Sequence, residues 1–162
     1  MTDTPKSPQL PPLTPPDSAL QLAPNDWFEY PVVAHPHHTD YSGGAWHGAY
    51  IAWMEEARVE CLRRLGIEFA TLVALGCDLP VVELAIRYHQ AIRMGERAVV
   101  RTRMVGVAGV RINWDYQIQA VDTSDLFVTA RVTLVAVDRE KGKIMRQLPP
   151  ALKDALAQLA AE

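Results

Sequence analysis

The chain has 162 residues, 49% of them apolar and 22% charged, with 16 basic and 19 acidic side chains and a net charge of −3. That suits one ordinary globular domain of roughly 100–200 residues, and excludes a basic surface that tracks a nucleic-acid backbone. No apolar run approaches the roughly 18 residues that span a bilayer. Cys61 and Cys77 are the whole cysteine complement, too few for a disulfide framework, which points to a reducing, cytoplasmic compartment.

Seven of the 12 prolines fall within residues 1–24. Proline removes backbone donors, and this stretch has too little apolar surface to offset ordering. With Lys6 as its one basic residue and no apolar run, it does not read as a secretory signal. The composition predicts a disordered tail over residues 1–24 and one domain over 25–162.

Residues 27–35 are aromatic and β-branched, a strand signature, and Pro31 within them argues for a sheet edge or a bulge. Pro36, Ser42, Gly43, Gly44 and Gly48 mark residues 36–48 as a loop. From 49 to 65 the period changes: Tyr50, Trp53, Met54, Ala57, Cys61 and Leu65 share one face of an amphipathic helix. Gly66 sits where a left-handed cap belongs, and 67–75 read as a short extra helical turn. From Leu79 onward the period is two. Strands are predicted near 79–88, 97–107, 112–120 and 126–137, the last apolar enough for burial on both faces. A short helix after Pro149 and Pro150 closes the chain at Ala161. The later strands can pair as an antiparallel meander, and the economical cover for one apolar helix is a sheet curled around it.

Four of the five histidines lie between His35 and His47, and three readings compete. A metal could take His35 and His37, or His38 and Asp40, but a third ligand at useful spacing is missing. A polar, glycine-rich loop could simply be solvated, with Asp40 capping nearby amides. The third reading is catalytic. Gly43 and Gly44 let the backbone turn tightly and approach a ligand. Residues 47–50 present free N–H groups and the positive end of a helix dipole, suited to a carbonyl oxygen that becomes an oxyanion. Asp40, ionised near neutrality, could attack that carbonyl or take a proton from water. A carboxylate is a weak nucleophile, so the substrate must be activated. A thioester fits and an amide does not.

The run Thr39-Asp40-x-x-Gly43-x-x-x-His47-x-x-Tyr50, followed by Glu55-Glu56-Ala57-Arg58, resembles the hot-dog-fold acyl-CoA thioesterases, near the 4-hydroxybenzoyl-CoA and Tol-Pal-associated branches. The resemblance runs from about Trp27 to about Pro150 and implies an α+β fold, an antiparallel sheet wrapped around one long central helix. It implies hydrolysis of an acyl-CoA to the free acid and CoA, with no cofactor and no metal. Asp40 and His47 match the catalytic positions, and Gly43, Gly48, Tyr50 and Glu55 match positions around the substrate. One sheet wrapped on one helix leaves its outer edges open, so the unit should pair with a second copy, as a homodimer or a dimer of dimers. The chain departs from the family's D-T-D at His38, from a common tyrosine at Pro36 and from a usual valine at Ala45. The alternative is a hot-dog domain that binds acyl thioesters without hydrolysing them.

Overall fold

The structure, a computed structural model, describes residues 26–123 and 125–159. The predicted tail over 1–24 lies outside the described residues, as does the predicted end of the last helix. The elements in chain order are β1 (Phe28–Val33), a 3₁₀ turn (Pro36–His38), α1 (His47–Arg64), α2 (Phe69–Ala74), β2 (Cys77–Asp78), β3 (Val81–Tyr88), β4 (Arg97–Ala108), β5 (Arg111–Ala120), β6 (Leu126–Val135), β7 (Val137–Asp138) and α3 (Pro150–Ala157). The main sheet has the order β1-β4-β5-β6-β3 and is antiparallel throughout. β2 and β7 form a separate two-stranded ribbon.

The meander holds for β4, β5 and β6 but not for β3. That strand pairs with β6 at the far edge, while β4 pairs with β1. Residues 89–96 must therefore carry the chain across the sheet. They pass over the start of α1, where the Ile92 carbonyl accepts the Ala45 N–H at 2.8 Å. Local alternation reports that a strand exists; it says nothing about its neighbour.

β1 is an edge strand, as Pro31 predicts, with Pro31 opposite Val99 of β4. At an edge the missing N–H interrupts no second ladder. α1 begins two residues before the apolar period does, because His47 and Gly48 contribute nothing to the buried stripe. It ends one residue short of Leu65, and Gly66 follows with φ +82°.

The predicted burial of residues 126–137 on both faces is corrected by the structure. Arg131 is exposed on the outer face, and only Val132–Ala136 are buried without a break. Ala136 also ends the long strand, so Val137 belongs to the ribbon.

One core joins α1 to the inner face of the sheet. Tyr50, Trp53, Met54, Ala57 and Cys61 from the helix meet Val100, Met104, Ile112, Trp114, Ile118, Val128 and Val132 from the sheet. Each is almost fully removed from water, and truncating the largest to alanine costs about 3–5 kcal/mol. Burial pushes the Cys61 thiol up to about 12, so it acts as a small apolar side chain. Leu152, Ala155 and Leu156 of α3 complete the core.

β3 is the exception. Its two outermost valines, Val81 and Val82, are 48% and 50% exposed, and Leu84 and Tyr88 are exposed as well. An apolar edge strand with an open row of backbone groups is a pairing surface.

Candidate active site

The segment between β1 and α1 is built from two tight turns. In the first, the His35 N–H donates to His38 Nδ1 at 3.0 Å, and the Thr39 hydroxyl donates to the Pro36 carbonyl at 2.7 Å. The rings of His37 and His38 lie 3.9 Å apart, and the His38 ring packs edge-on against Trp53. Burial, then the neighbouring His37 and His35, hold the His38 pKa below its ordinary value. His38 thus serves as a neutral acceptor that closes a turn. A carboxylate at this position would supply the same acceptor, which gives the departure from D-T-D a structural meaning. Among the described residues, no three His, Cys, Asp or Glu side chains converge to hold a metal ion.

The second turn is the loop Asp40–Gly44. The Asp40 N–H donates to the Gly44 carbonyl at 2.9 Å, and the Gly43 N–H donates to the Asp40 carbonyl at 3.0 Å. Gly43 makes the reversal at φ +85°, a region that side chains with a Cβ rarely occupy. The Asp40 carboxylate is solvent-exposed, and its Oδ1 accepts both the Ser42 N–H, at 2.9 Å, and the Ser42 hydroxyl. These two bonds, helped by Gly44 and the Arg93 charge, hold its pKa below the usual carboxylate value. Arg93 is anchored over the same loop, its guanidinium 3.4 Å from the Ser42 carbonyl.

The loop feeds directly into α1. Trp46 precedes the helix, and its carbonyl accepts the Ala49 N–H at 2.9 Å. The amides of His47 and Gly48 have no backbone acceptor among the described residues, as first-turn amides generally do not. The Trp46 ring folds back over Gly48 so closely that a Cβ there would lie 2.1 Å from it. A side chain at this position would have to displace the Trp46 ring, which is 45% exposed.

Residues 88–92 form the opposite wall. The Tyr88 hydroxyl donates to the His47 carbonyl at 2.9 Å, and the Ile92 N–H donates to the Tyr50 hydroxyl at 3.0 Å. Ala45, His47, Tyr50, Tyr88, His89, Gln90 and Ala91 line a groove of about 310 Å³ at the helix start. Tyr50 and Tyr88 meet edge-on across it, 5.3 Å between ring centres. Its outer side is the open edge of β3.

Residues 34–159 match the family model described as the thioesterase-like superfamily. The chain belongs to the thioesterase-like superfamily. It is 51% identical over 165 residues to the Synechocystis protein named "Putative esterase sll0410", an alignment covering 98% of this chain and 99% of that protein. It is 27% identical over 125 residues to the acyl-CoA thioester hydrolase YbgC of Escherichia coli O6:H1, covering 77% and 92% of the two chains. Among solved structures, the 1,4-dihydroxy-2-naphthoyl-CoA thioesterase Slr0204 of Synechocystis superposes with a TM-score of 0.75 at 21% identity, over 83% of this chain and 98% of that one. The fold is the α+β hot-dog fold, with α1 as the helix inside the sheet.

Within this thioesterase-like domain, the structure brings together most of the residues the sequence singles out. His47 and Tyr50 line the groove, Gly48 carries one of the two free amides, Gly43 turns the loop, and Asp40 stands on that loop rather than in the groove lining. Glu55 lies about two turns further along α1, exposed and outside the groove. Its neighbour Glu56 accepts a hydrogen bond from Tyr30.

The arginines of β4, β5 and the segment before β4 go to different partners. Arg101 faces Glu29, Arg111 faces Glu83, and Arg103 stacks on Trp27; Arg93, on the segment before β4, is tied to the Asp40 loop. Trp53 is core, and Trp46 is partly exposed beside the groove. Sequence reasoning missed Ser42 and Tyr88. The two-residue step from Asp40 to Ser42 is a recognisable side-chain turn signal. Tyr88 meets His47 from 41 residues away and leaves no local signal.

Proposed function

We propose that this chain hydrolyses an acyl-CoA thioester to the free acid and CoA, using Asp40 and the N-terminus of α1. The observation that carries this reading is one juxtaposition. An ionised, exposed carboxylate stands on the loop that leads, five residues on at Ala45, into a groove lined by His47, the first residue of α1, whose amide, like that of Gly48 beside it, has no backbone acceptor among the described residues. Membership of the superfamily and the names of its relatives supply the substrate class.

In this mechanism the thioester carbonyl enters the groove with its oxygen toward the amides of His47 and Gly48. Donors already aimed at the developing oxyanion need no reorganisation as charge builds. Asp40 then acts in one of two ways. As a base it takes a proton from water, and the hydroxide adds to the carbonyl carbon. As a nucleophile it adds directly, giving a mixed anhydride that water cleaves. In both routes the carbon–sulfur bond breaks, and CoA leaves as a thiolate that is protonated to the thiol. Sulfur is a good leaving group, which suits a carboxylate with no stronger nucleophile beside it.

The reading requires no metal and no organic cofactor. It also includes a homodimer or a dimer of dimers, since the groove opens at the uncovered β3 edge and a second copy would supply its missing wall. Work in a reducing, cytoplasmic compartment fits two cysteines that are both free and buried. No helix among the described residues is long and apolar enough to cross a membrane.

The test is release of free thiol from a panel of aliphatic and aromatic acyl-CoAs. Turnover of at least one, lost in Asp40→Asn, supports the proposal. Binding without turnover by the wild-type protein would leave an acyl-thioester-binding domain instead. Label found in Asp40 after a single turnover in ¹⁸O-labelled water would establish the nucleophilic route with water attacking the Asp40 carbonyl, since the general-base route puts label only in the product acid.

A further inference from the structure

We infer that Ser42 is a positioning residue for the reaction, fixing which oxygen of Asp40 meets the substrate. The inference rests on the hydrolase reading above and adds a residue to it. Ser42 is bonded to the loop in three directions. Its N–H and its hydroxyl both donate to Asp40 Oδ1, and its carbonyl faces the Arg93 guanidinium.

Two donors on one oxygen do two things. They occupy the lone pairs of Oδ1, so Oδ2 is the oxygen free to take a proton or attack. They also stop rotation about the Cβ–Cγ bond, which in an exposed aspartate would otherwise interchange the oxygens. A carboxylate on a surface loop has no packing to orient it, so these bonds do what burial does elsewhere. Holding a reacting group in its working geometry removes entropy that the transition state would otherwise cost.

The charged and titratable groups facing Asp40 are few. Arg93, from the segment that crosses over α1, adds positive charge, and Glu96 is tied up by the Arg93 N–H at 2.9 Å. Tyr50 faces it from α1. None of these bonds the carboxylate directly, so the Ser42 hydroxyl is the side chain whose loss should be felt there.

The experiment compares wild type, Ser42→Ala and Ser42→Thr, with Asp40→Asn as reference. The probe is whichever of hexanoyl-CoA and benzoyl-CoA the wild type turns over faster. Ser42→Ala should lower kcat about tenfold, the scale of one charge-assisted hydrogen bond, while KM stays within about twofold. The acid limb of its rate profile should move to higher pH, and the ¹³Cγ signal of Asp40 should titrate at higher pH in parallel. Ser42→Thr keeps the hydroxyl and should recover most of the rate and the wild-type pH profile.

Unchanged kcat and pH profile in a folded Ser42→Ala enzyme would overturn the inference while leaving the hydrolase reading intact. So would a moved ¹³Cγ titration with unchanged turnover, which would make the bond real but idle. Loss of activity that Ser42→Thr fails to restore would point to general loop damage and also overturn it. Failure of the wild type on both probes, or full activity in Asp40→Asn, would instead remove the reading on which the inference stands.

Discussion

The Arg58 guanidinium donates a 2.9 Å hydrogen bond to the Tyr116 hydroxyl inside the interface between α1 and the sheet. Arg58 is only 7% exposed, and Tyr116 is fully enclosed. A cation so placed is held by its partners or destabilises the fold. The arginine of the Glu55–Arg58 run therefore serves packing, tying the helix to the middle of β5.

Tyr116→Phe tests this with little change of shape. Losing a hydrogen bond to a buried charged group costs about 1.5–3 kcal/mol, to be read as a lower denaturation midpoint at unchanged slope. The pH dependence has a definite sign. Burial is the main cause that raises the Tyr116 pKa above its ordinary 10.0. Its contribution to stability is therefore fully present below pH 10.0 and is lost as pH rises through the folded value. The phenylalanine variant should lose less stability than wild type on alkaline titration. An equally stable variant with the same alkaline limb would show the bond to be incidental.

The helix was legible because its buried stripe repeats Tyr50, Trp53, Met54, Ala57 and Cys61 at helical spacing. β5 was legible because Ile112, Trp114, Tyr116 and Ile118 alternate with polar residues. Both patterns are local consequences of one buried face. The site was half legible. Asp40, Gly43 and His47 fall within eight residues, so a linear motif captures them. The groove's other wall was not, because Tyr88, at the end of β3, and residues 89–91 of the crossing meet the helix start from far along the chain. That crossing follows from β3 pairing with β6, a non-local choice with no trace in the alternation of either strand. β3 itself reads like a half-buried strand, yet in one copy it is almost wholly exposed.

That exposure motivates a prediction about assembly. Val82 and Leu84 stand on an open edge strand, 50% and 37% exposed. Lysine at such positions is how natural sheets prevent edge pairing. Val82→Lys with Leu84→Lys should leave the fold intact, as judged by circular dichroism. It should shift sedimentation at micromolar concentration from dimer or tetramer to monomer. Thioesterase activity should fall with it, because in the proposed dimer the second copy closes the open side of the groove. A wild-type protein that sediments as a fully active monomer would overturn the dimer.

Metal removal gives a separate test. His38 Nδ1 is already occupied by the His35 amide, and the His37 ring packs at a tilt against the His38 ring, 3.9 Å between centres. Exhaustive chelation and dialysis should leave kcat/KM unchanged within about twofold, since in the proposed mechanism a carboxylate and backbone amides supply the chemistry. Loss of turnover that stoichiometric metal restores would show that the histidine turn opens to bind an ion.

The sharpest prediction separates Asp40 from His47. Asp40→Asn keeps the size and much of the hydrogen bonding of the side chain but removes its charge. As base or nucleophile, the carboxylate contributes at least about 10²–10⁴-fold, and kcat should fall by that much. In the wild type the rate should also fall at acidic pH, as Asp40 is protonated. Because Ser42 holds its pKa below the ordinary value, that limb should lie lower than for a free aspartate. His47 is placed differently. Its amide and that of Gly48 belong to the main chain, and its carbonyl is held by Tyr88. His47→Ala keeps the amides, so it should cost less than Asp40→Asn, roughly 10-fold to 10²-fold. Both side chains are exposed, so both variants should keep the wild-type melting temperature. The measurement is kcat/KM on the best acyl-CoA, with melting curves as the folding control. A folded Asp40→Asn enzyme at near-wild-type rate would remove the carboxylate from the mechanism. A His47→Ala loss as large as that of Asp40→Asn would move the imidazole itself into the chemistry.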